Sequence, residues 1–222
     1  RTLEALALMP IQDTTELANT MPNVVARLRA TDFYPGLFQA AFGTPDIDSD
    51  RIARALAQFL RSLVSWQARV DRVENPLPGS AESVFSALEE QGRAIVQGQC
   101  AVCHQTTLRS LQVPMSNGLD SVVTDPGAGR GIFRAASLRN IARTAPYMHD
   151  GRFATLREVI DHYDHGIQDA PALPSELKEG GVPRRFNFSE ADKVALEAFL
   201  NTFTDEEFLA DPRFSDPFPQ GA

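Results

Sequence analysis

Long apolar runs are missing from this chain of 222 residues. No stretch approaches the about 18–20 consecutive apolar residues that a membrane-spanning helix needs, so we expect no transmembrane segment. Basic residues are in the minority, with 21 Lys and Arg against 29 Asp and Glu, which gives a formal net charge of −8. Nucleic-acid binding needs a basic face for the phosphates, so we expect no nucleic-acid partner. The acidic balance suits an encounter with a basic protein.

Cysteine is also scarce, and both residues of this type lie in the segment Cys100-Ala101-Val102-Cys103-His104. This spacing is typical of covalent haem c attachment, in which the two thiols add to the porphyrin vinyl groups and the adjacent histidine binds iron. One helical turn can align both sulfurs along one edge of the macrocycle. The motif therefore predicts a haem c group with His104 as an axial ligand of its iron.

Two other uses of the same residues are possible. The cysteines could form a disulfide, which would leave His104 without a function. They could also bind a structural zinc ion, which takes four ligands. No second cysteine pair exists, so the zinc site would have to be completed by His149, His162 or His165.

The periodicity of the sequence is helical, and regular strand alternation is scarce, so we predict an all-α fold. Ser49-Asp50 precede an apolar stripe, and further helices are expected to run from Ser80 toward Gly92 and from Thr155 to a stop at Gly166. A capping box is expected at the helix start formed by residues 189–192. The Gly-, Pro-, Asn- and Asp-rich stretches 108–137 and 167–187 are predicted to be loops.

Two of these helices have counterparts elsewhere in the chain. The pattern Ser49…Ala55-Leu56…Phe59-Leu60 recurs as Ser189…Ala195-Leu196…Phe199-Leu200, at an offset of 140. Thr2-Leu3-Glu4 aligns with Thr155-Leu156-Arg157 at an offset of 153. Two matches in the same order indicate an internal duplication.

The duplication predicts one and a half haem domains. Residues 76–222 would form a second haem domain with its own attachment motif, and residues 1–75 the C-terminal part of a first one. The motif of the first domain would then precede Arg1, and because the chain does not open on Met, we expect an upstream part of the same protein that carries it.

With these residues in place, the chain resembles the bacterial diheme cytochrome c peroxidase family, which includes the MauG-type enzymes. The most specific segment is 136–142 with its continuation 144–152, and the segments 10–16 and 211–218 are similar as well. The resemblance implies two all-α cytochrome c-like domains with two haem c groups, one of them attached in this chain. It also implies a periplasmic location and a reaction with hydrogen peroxide in which electrons pass between the two haems.

The second axial ligand of the haem on His104 decides its chemistry. The candidate side chains are Tyr163, Met148, Met115, His149, His162 and His165. The resemblance favours Tyr163, which stands where the classical peroxidases carry a ligating Met and the MauG-type enzymes a ligating Tyr. A phenolate lowers the reduction potential and stabilises ferric or higher iron, whereas a thioether raises the potential. We expect His162 and His165 to face solvent, because they flank Tyr163 at a helix end.

The first haem is expected to have an open axial position. Applying the offset of 153 to Tyr163 leads to Pro10, which has no side-chain donor. Glu16 stands six residues further on, where the family carries a distal acid. Its carboxylate could take a proton from peroxide and return it to the leaving oxygen.

The resemblance implies further roles for four residues. The backbone carbonyls of Thr144 and Pro146 would bind a calcium ion. Arg139 would pair with a haem propionate, and His149 would bond a propionate, order water or serve a structural role. We also expect Trp66 to end the helix that begins near Ser49 and to be a packed core residue.

The leading functional hypothesis is a MauG-type diheme peroxidase that uses hydrogen peroxide to form high-valent haem iron and then oxidises a residue on a protein substrate. The first alternative is a cytochrome c peroxidase that reduces peroxide with electrons from a small cytochrome c or cupredoxin. The second is a non-enzymatic electron carrier with a single haem c.

Overall fold

A computed structural model describes residues 2–76, 84–104 and 114–218 of the chain. The chain forms two compact units, one ending at Val64 and the other beginning at Ser65. Within the described residues both units are helical, and the strands amount to two short antiparallel pairs. The predicted all-α fold is thereby confirmed. None of the helices in the described ranges is long and apolar enough to cross a membrane.

The described residues of the first unit form four helices, and three of them start at a capping side chain. Thr2, Thr20 and Asp48 each accept a hydrogen bond from the backbone amide three residues later, which satisfies an exposed donor of the first turn. The core of the unit contains Met21, Phe38, Ile47 and Ile52. The helices are α1 (Leu3–Gln12), α2 (Met21–Arg29), α3 (Tyr34–Phe42) and α4 (Ser49–Ser62).

The helix predicted after Ser49 is α4, and it buries Ile52, Ala53 and Ala57. It ends at Ser62, so the expectation that Trp66 ends it is wrong. The segment after it binds Asp205 instead: the Ser65 hydroxyl and the Gln67 amide donate to that carboxylate at 3.0 and 2.9 Å. Trp66 is 50% exposed rather than packed in a core.

The second unit is organised around the crossing of two helices, with the remaining elements packed beside them. Its helices are α5 (Arg69–Glu74), α6 (Ala87–Ile95), α7 (Leu156–Asp161), α8 (Glu190–Asn201) and α9 (Glu206–Leu209). Strand β1 (Pro114–Met115) pairs with β2 (Phe133–Arg134), and β3 (Lys178–Glu179) pairs with β4 (Val182–Pro183).

The crossing of α6 and α8 depends on Gly92. A Cβ atom on this residue would lie 2.0 Å from the carbonyl oxygen of Ala195 and 2.8 Å from Cβ of Phe199. The sequence suggested that Gly92 ends α6, but it lies inside the helix. A glycine is needed there because the backbones of α6 and α8 approach too closely for a side chain. Phe199 and Phe203 of the adjoining core are almost fully buried and meet edge to face.

The start of α6 differs from the prediction. Ser80 lies outside the described residues, and Val84 and Phe85, which were expected inside the helix, precede it. Ser86 caps α6 together with Glu89: the Glu89 amide donates to the Ser86 hydroxyl at 3.3 Å, and the Ser86 amide donates to the Glu89 carboxylate at 2.6 Å. This reciprocal pair satisfies two amides and fixes the first turn.

The other two predicted helix starts are confirmed. Thr155 caps α7 in a reciprocal pair with Glu158, and Ser189 caps α8 with Asp192. In the two predicted loops, the described residues contain only the short strands and short helical turns. Residues 108–113 of the first loop lie outside the described residues.

The two units contain equivalent helix pairs, as the repeat predicted. In the first unit α1 packs against α4, and in the second α7 packs against α8. Thr2 and Thr155 cap the equivalent helices α1 and α7. Residues 65–75, which the sequence assigned to the first domain, pack in the second unit, where Val70 is 2% exposed and its amide donates to Thr202 at 3.0 Å.

Candidate haem site

The attachment motif forms the continuation of α6. That helix widens into a π-helical turn, Val96–Cys100, and the amides of Cys103 and His104 then donate to the carbonyl of Cys100 at 3.1 and 3.0 Å. The five residues of the motif thus form a compact turn, as haem c attachment requires. The turn is anchored on the core of the second unit, because Val96 is 2% exposed.

Both cysteines are free thiols. Burial and, to a smaller extent, the nearby Cys103 raise the pKa of the Cys100 thiol to about 12. Burial also raises the pKa of Cys103. The thiols are therefore protonated at neutral pH. Because the two sulfurs are not bonded to each other, the disulfide alternative does not describe this structure.

The zinc alternative also fails on geometry. Among the described residues, one group of three His, Cys, Asp or Glu side chains brings its ligand atoms together, and it consists of Asp161, Asp164 and His165. Neither cysteine belongs to it. A tetrahedral zinc ion needs four converging ligands, and the cysteines do not have them here.

Tyr163 lies near the two thiols. It stands in a second π-helical turn, His162–Gly166, which continues α7 and ends at the glycine that the sequence predicted as the stop. Burial and, to a smaller extent, the nearby Cys100 and Cys103 thiols raise the pKa of Tyr163 to about 12. The phenol is thus neutral, and it packs against the apolar cluster of Ile167, Ala170, Leu173 and Leu177.

Two methionines that compete with Tyr163 as ligands lie in the same region. Sδ of Met115 is 3.7 Å from Sγ of Cys103. Sδ of Met148 accepts a hydrogen bond from Nδ2 of Asn117 at 3.2 Å. Met148 has a left-handed backbone with φ of +72°, which is costly for a side chain other than glycine.

The three histidines differ in their surroundings. His149 is exposed and stacks on Phe133 with ring centroids 3.9 Å apart. His162 is 6% exposed and its Nε2 lies 3.0 Å from the carbonyl oxygen of Asn117, so the prediction that it faces solvent is wrong. Burial lowers its pKa, and the neutral ring donates to that carbonyl. His165 does face solvent, with a side chain that is 66% exposed.

A buried lysine, which the sequence analysis missed, neutralises the carboxylates beside Tyr163. Nζ of Lys193 lies 2.6 Å from Asp161 and 2.8 Å from Asp164, and the side chains of Lys193 and Asp164 are only 8% and 9% exposed. Asp164 also accepts from the Phe188 amide at 2.7 Å. The ammonium group lies where a cation would bind in this acidic cluster, and it ties the turn of Tyr163 to α8.

Arg139 is held by a carboxylate of its own unit. Its two terminal nitrogens donate to Asp71 at 2.7 and 2.5 Å, in a forked pair with little exposure. The propionate role suggested for Arg139 stays a prediction.

The two residues suggested as calcium ligands, Thr144 and Pro146, are exposed. They follow a 3₁₀ turn, Ile141–Arg143, where the Thr144 hydroxyl donates to the Ile141 carbonyl at 3.3 Å. The calcium site stays a prediction.

In the first unit, Pro10 and Glu16 lie at the two sides of one turn. Pro10 lies in α1, and its carbonyl accepts from the Leu17 amide at 3.1 Å. This bond folds the segment after α1 back over the helix end, with Ala18 at a φ of +45°. Glu16 lies in that segment and is exposed, and its amide donates to the Asp13 carbonyl at 3.2 Å. Its catalytic role stays a prediction.

The residues of the second unit fit a haem c group. Two reduced thiols and the adjacent histidine lie on a compact turn, and a half-buried phenol and two thioethers lie nearby. Thiols serve covalent attachment, and imidazole, phenolate and thioether groups are the axial ligands that haem iron takes in proteins. Cys100, Cys103 and His104 would hold the group, and Tyr163 would face it.

Comparisons with known proteins agree with a haem c site built from these residues. The family model described as di-haem cytochrome c peroxidase matches residues 1–76. The methylamine utilization protein MauG of Methylorubrum extorquens is 36% identical over 216 residues, which cover 92% of this chain and 58% of that protein. The cytochrome c551 peroxidase of Nitrosomonas europaea is 28% identical over 220 residues, 92% of this chain and 59% of that protein. The chain thus spans about three fifths of the length of these relatives.

A solved structure provides a longer match. The crystal structure of a MauG-like protein associated with microbial copper homeostasis superposes with a TM-score of 0.76 and 33% identity, covering 97% of this chain and 72% of the other. The motif, the fold and these similarities lead to one assignment, which implies haem c as the cofactor. The chain belongs to the diheme cytochrome c peroxidase family, which includes MauG.

Proposed function

We propose that this chain is part of a MauG-type diheme peroxidase, which uses hydrogen peroxide to oxidise a residue on a protein substrate. The observation that carries the proposal is the position of Tyr163, a half-buried phenol near the two thiols of the attachment motif. The haems would supply iron that accepts the two oxidising equivalents of peroxide and holds them until the substrate protein docks. An anionic oxygen ligand favours such oxidised iron.

The roles of the residues in the second unit follow from their chemistry. Cys100 and Cys103 would attach the haem, and His104 and Tyr163 would bind its iron. Because burial raises the pKa of Tyr163 to about 12, its hydroxyl keeps its proton unless a cation replaces it. Phenolate is therefore present only when metal binds, which is the usual coupling of ligand deprotonation to coordination.

In the first unit, Pro10 and Glu16 would serve the reaction with peroxide. Pro10 offers no side-chain ligand, so it leaves room for peroxide at the haem carried by the upstream part of the protein. The Glu16 carboxylate would take a proton from one peroxide oxygen and return it to the other. The oxygen–oxygen bond could then break with water as the leaving group, while the haem would supply the two electrons.

The remaining features of the proposal concern cofactors, location and partners. A second haem c and a calcium ion bound by the carbonyls of Thr144 and Pro146 complete the set of cofactors. The protein works in the periplasm, where its acidic surface, with a formal charge of −8, favours a basic protein partner.

A cytochrome c peroxidase is the second candidate function, because one observation favours it. Sδ of Met115 lies 3.7 Å from Sγ of Cys103, so a thioether is available close to the attachment site. Thioether ligation would raise the reduction potential and suit electron delivery from a small cytochrome c or cupredoxin.

The two candidates differ in the ligand opposite His104, which spectroscopy of the full-length holoprotein measures. We expect a low-spin ferric haem with a phenolate-to-iron charge-transfer band. Tyr163→Phe should keep the covalent haem, lose that band and lose oxidation of the protein substrate. Tyr147→Phe is the matched control, because the hydroxyl of Tyr147 donates to the Ile141 carbonyl at 2.7 Å and should not affect the spectrum.

Two outcomes would contradict the proposal. A near-infrared sulfur-to-iron band in the wild-type protein would assign the ligand to a methionine and favour the cytochrome c peroxidase. A single haem, measured by pyridine haemochrome and intact mass on the full-length protein, would favour the single-haem electron carrier.

A further inference from the structure

Helix α4 and its counterpart α8 have the same apolar residues but differ in how deeply they bury them. In α8, Leu196 and Leu200 are 3% and 9% exposed and belong to the core of the second unit. Their counterparts in α4, at the offset of 140, are Leu56 and Leu60. These two side chains are 37% and 40% exposed. The same leucines are thus core residues in one unit and surface residues in the other.

In the second unit, α6 covers this side of α8. A Cβ atom on Gly92 of α6 would lie 2.0 Å from the carbonyl oxygen of Ala195 in α8, so the two backbones are in close contact where they cross. The counterpart of Ala195 in α4 is Ala55, which is exposed. Helix α4 therefore leaves open the surface on which α8 receives α6.

The exposed side of α4 is an apolar stripe rather than a single side chain. Leu56, Leu60 and Leu63 follow each other at intervals of four and three residues, which places them on one side of the chain. The opposite side of α4 is already buried within its own unit, through Ile52, Ala53 and Ala57. Isolated apolar side chains are common on protein surfaces. A helix that is apolar on two sides is instead typical of one that is covered on both.

We propose that the exposed stripe of α4, formed by Ala55, Leu56, Leu60 and Leu63, is the docking surface for a helix from the upstream part of the same protein. This helix crosses α4 at Ala55 as α6 crosses α8 at Ala195. The inference rests on the upstream part that belongs to the proposed function, but it does not depend on the ligand opposite His104.

The internal repeat favours this occupant over others. The two units have equivalent helix pairs, α1 with α4 and α7 with α8, and the second unit completes its pair with α6. Relatives of this chain have sequence for such a helix, because the chain covers only 58% of the MauG protein of Methylorubrum extorquens. A repeat of the crossing also defines the chemistry of the occupant. It should be an amphipathic helix with apolar side chains toward Leu56 and Leu60, and with glycine opposite Ala55, where a close backbone approach leaves no room for a side chain.

The first test is carbene photolabelling of the full-length holoprotein with a diazirine reagent, followed by peptide mapping. Leu56 and Leu60 should be labelled as slowly as the buried Leu196 and Leu200. They should be labelled several-fold more slowly than Leu37 of α3, which is 57% exposed. Labelling of Leu56 and Leu60 at the rate of Leu37 would show that the stripe is uncovered and would overturn the inference.

The second test is the substitution Ala55→Leu. Leucine is nearly as favourable as alanine in a helix, and Ala55 is exposed within this chain, so a leucine there is harmful only if another backbone packs against it. We expect the variant to lower the denaturation midpoint of the full-length holoprotein and to speed the labelling of Leu60. Ala191→Leu is the matched control, because Ala191 is exposed on α8 although α6 is in place. It should leave both measurements near their wild-type values.

The remaining outcomes separate this inference from its alternatives. Slow labelling of Leu56 that appears only at high protein concentration, together with a dimer in light scattering, would make a second copy the occupant and overturn the inference. Two haems together with fast labelling would overturn the inference and leave the proposed function standing. A single haem in the full-length protein would contradict the proposed function, and the inference would fail with it.

Discussion

The crossing of α6 and α8 at Gly92 determines how the attachment motif is held. A Cβ atom on Gly92 would lie 2.0 Å from the carbonyl oxygen of Ala195 and 2.6 Å from its carbonyl carbon. Both atoms belong to the backbone of α8, so no side-chain rotation can relieve the overlap. Since real Cβ contacts below 3.0 Å are essentially never seen, Gly92→Ala must separate the helices locally by about 1 Å or more.

Two opposing contributions set the change in the free energy of unfolding. Alanine is more favourable than glycine inside a helix by about 1 kcal/mol. Overpacking of a core costs about 1–3 kcal/mol, and a backbone overlap belongs at the upper end of that range. We therefore expect Gly92→Ala to lower the free energy of unfolding by about 2 kcal/mol. Because α6 continues directly into the motif, the haem absorption bands should shift as well.

Guanidinium denaturation of the holoprotein, followed by far-ultraviolet circular dichroism and haem absorption, measures this change. Gly36→Ala in α3 is the control, because no atom lies within 4 Å of a Cβ placed there. That variant should be as stable as the wild type or more stable by up to about 1 kcal/mol. The reasoning is refuted if Gly92→Ala matches the wild type in stability while its haem spectrum stays unchanged.

Three further predictions concern charged groups. Lys193→Met should lower the free energy of unfolding by about 3 kcal/mol, because it leaves the buried Asp164 carboxylate without its cation. Lys178→Met is the control and should change the free energy of unfolding by less than about 0.5 kcal/mol, because Lys178 is 31% exposed and its partner Asp169 is 66% exposed. Equal effects of the two substitutions in urea denaturation would contradict this. Burial raises the pKa of Asp205, but hydrogen bonds from backbone amides and a hydroxyl outweigh burial and hold the pKa below its usual value of 3.8. The ionised carboxylate therefore stabilises the fold fully above pH 3.8, and this stabilisation is lost as the pH falls through the lower pKa of the folded protein. The stability difference between wild type and Asp205→Asn should therefore narrow on acidification, and a constant difference in pH-dependent denaturation would show that the carboxylate charge is unimportant. Glu16→Gln should keep the fold and haem content but slow the reaction with peroxide in stopped-flow mixing at least about tenfold, and an unchanged rate would make Glu16 a surface residue.

The part of the site that is contiguous in the sequence could be predicted from it. Cys100, Cys103 and His104 lie within five residues, so their relative positions follow from one turn of backbone. The caps at Thr155 and Ser189 were also predictable, because each depends on a side chain and an amide only three residues apart. The pairing of Thr2 with Thr155 predicted equivalent helices in the two units, and these are present.

Contacts between distant segments could not be predicted in this way. His162 was expected to face solvent because it stands at a helix end, but the loop of Asn117 covers it. The sequence placed the start of α6 at Ser80, but the helix is capped by Ser86. Ser86 has an acidic residue three positions later, Glu89, and Ser80 does not. Gly92 resembled a helix stop, although only the backbone of α8 explains its presence inside the helix.

The sequence by itself thus determined the attachment motif, the helical class and the repeated helix pattern, because each depends on residues close together or on a recurring spacing. Only the tertiary structure decided the surroundings of Tyr163. The backbone carbonyl of Asn117, which binds the neighbouring His162, and the ammonium group of Lys193, which binds Asp161, reach that region from positions 46 and 30 residues away from Tyr163 in the chain. No local pattern encodes such encounters, because they arise when helices and loops pack against a common core.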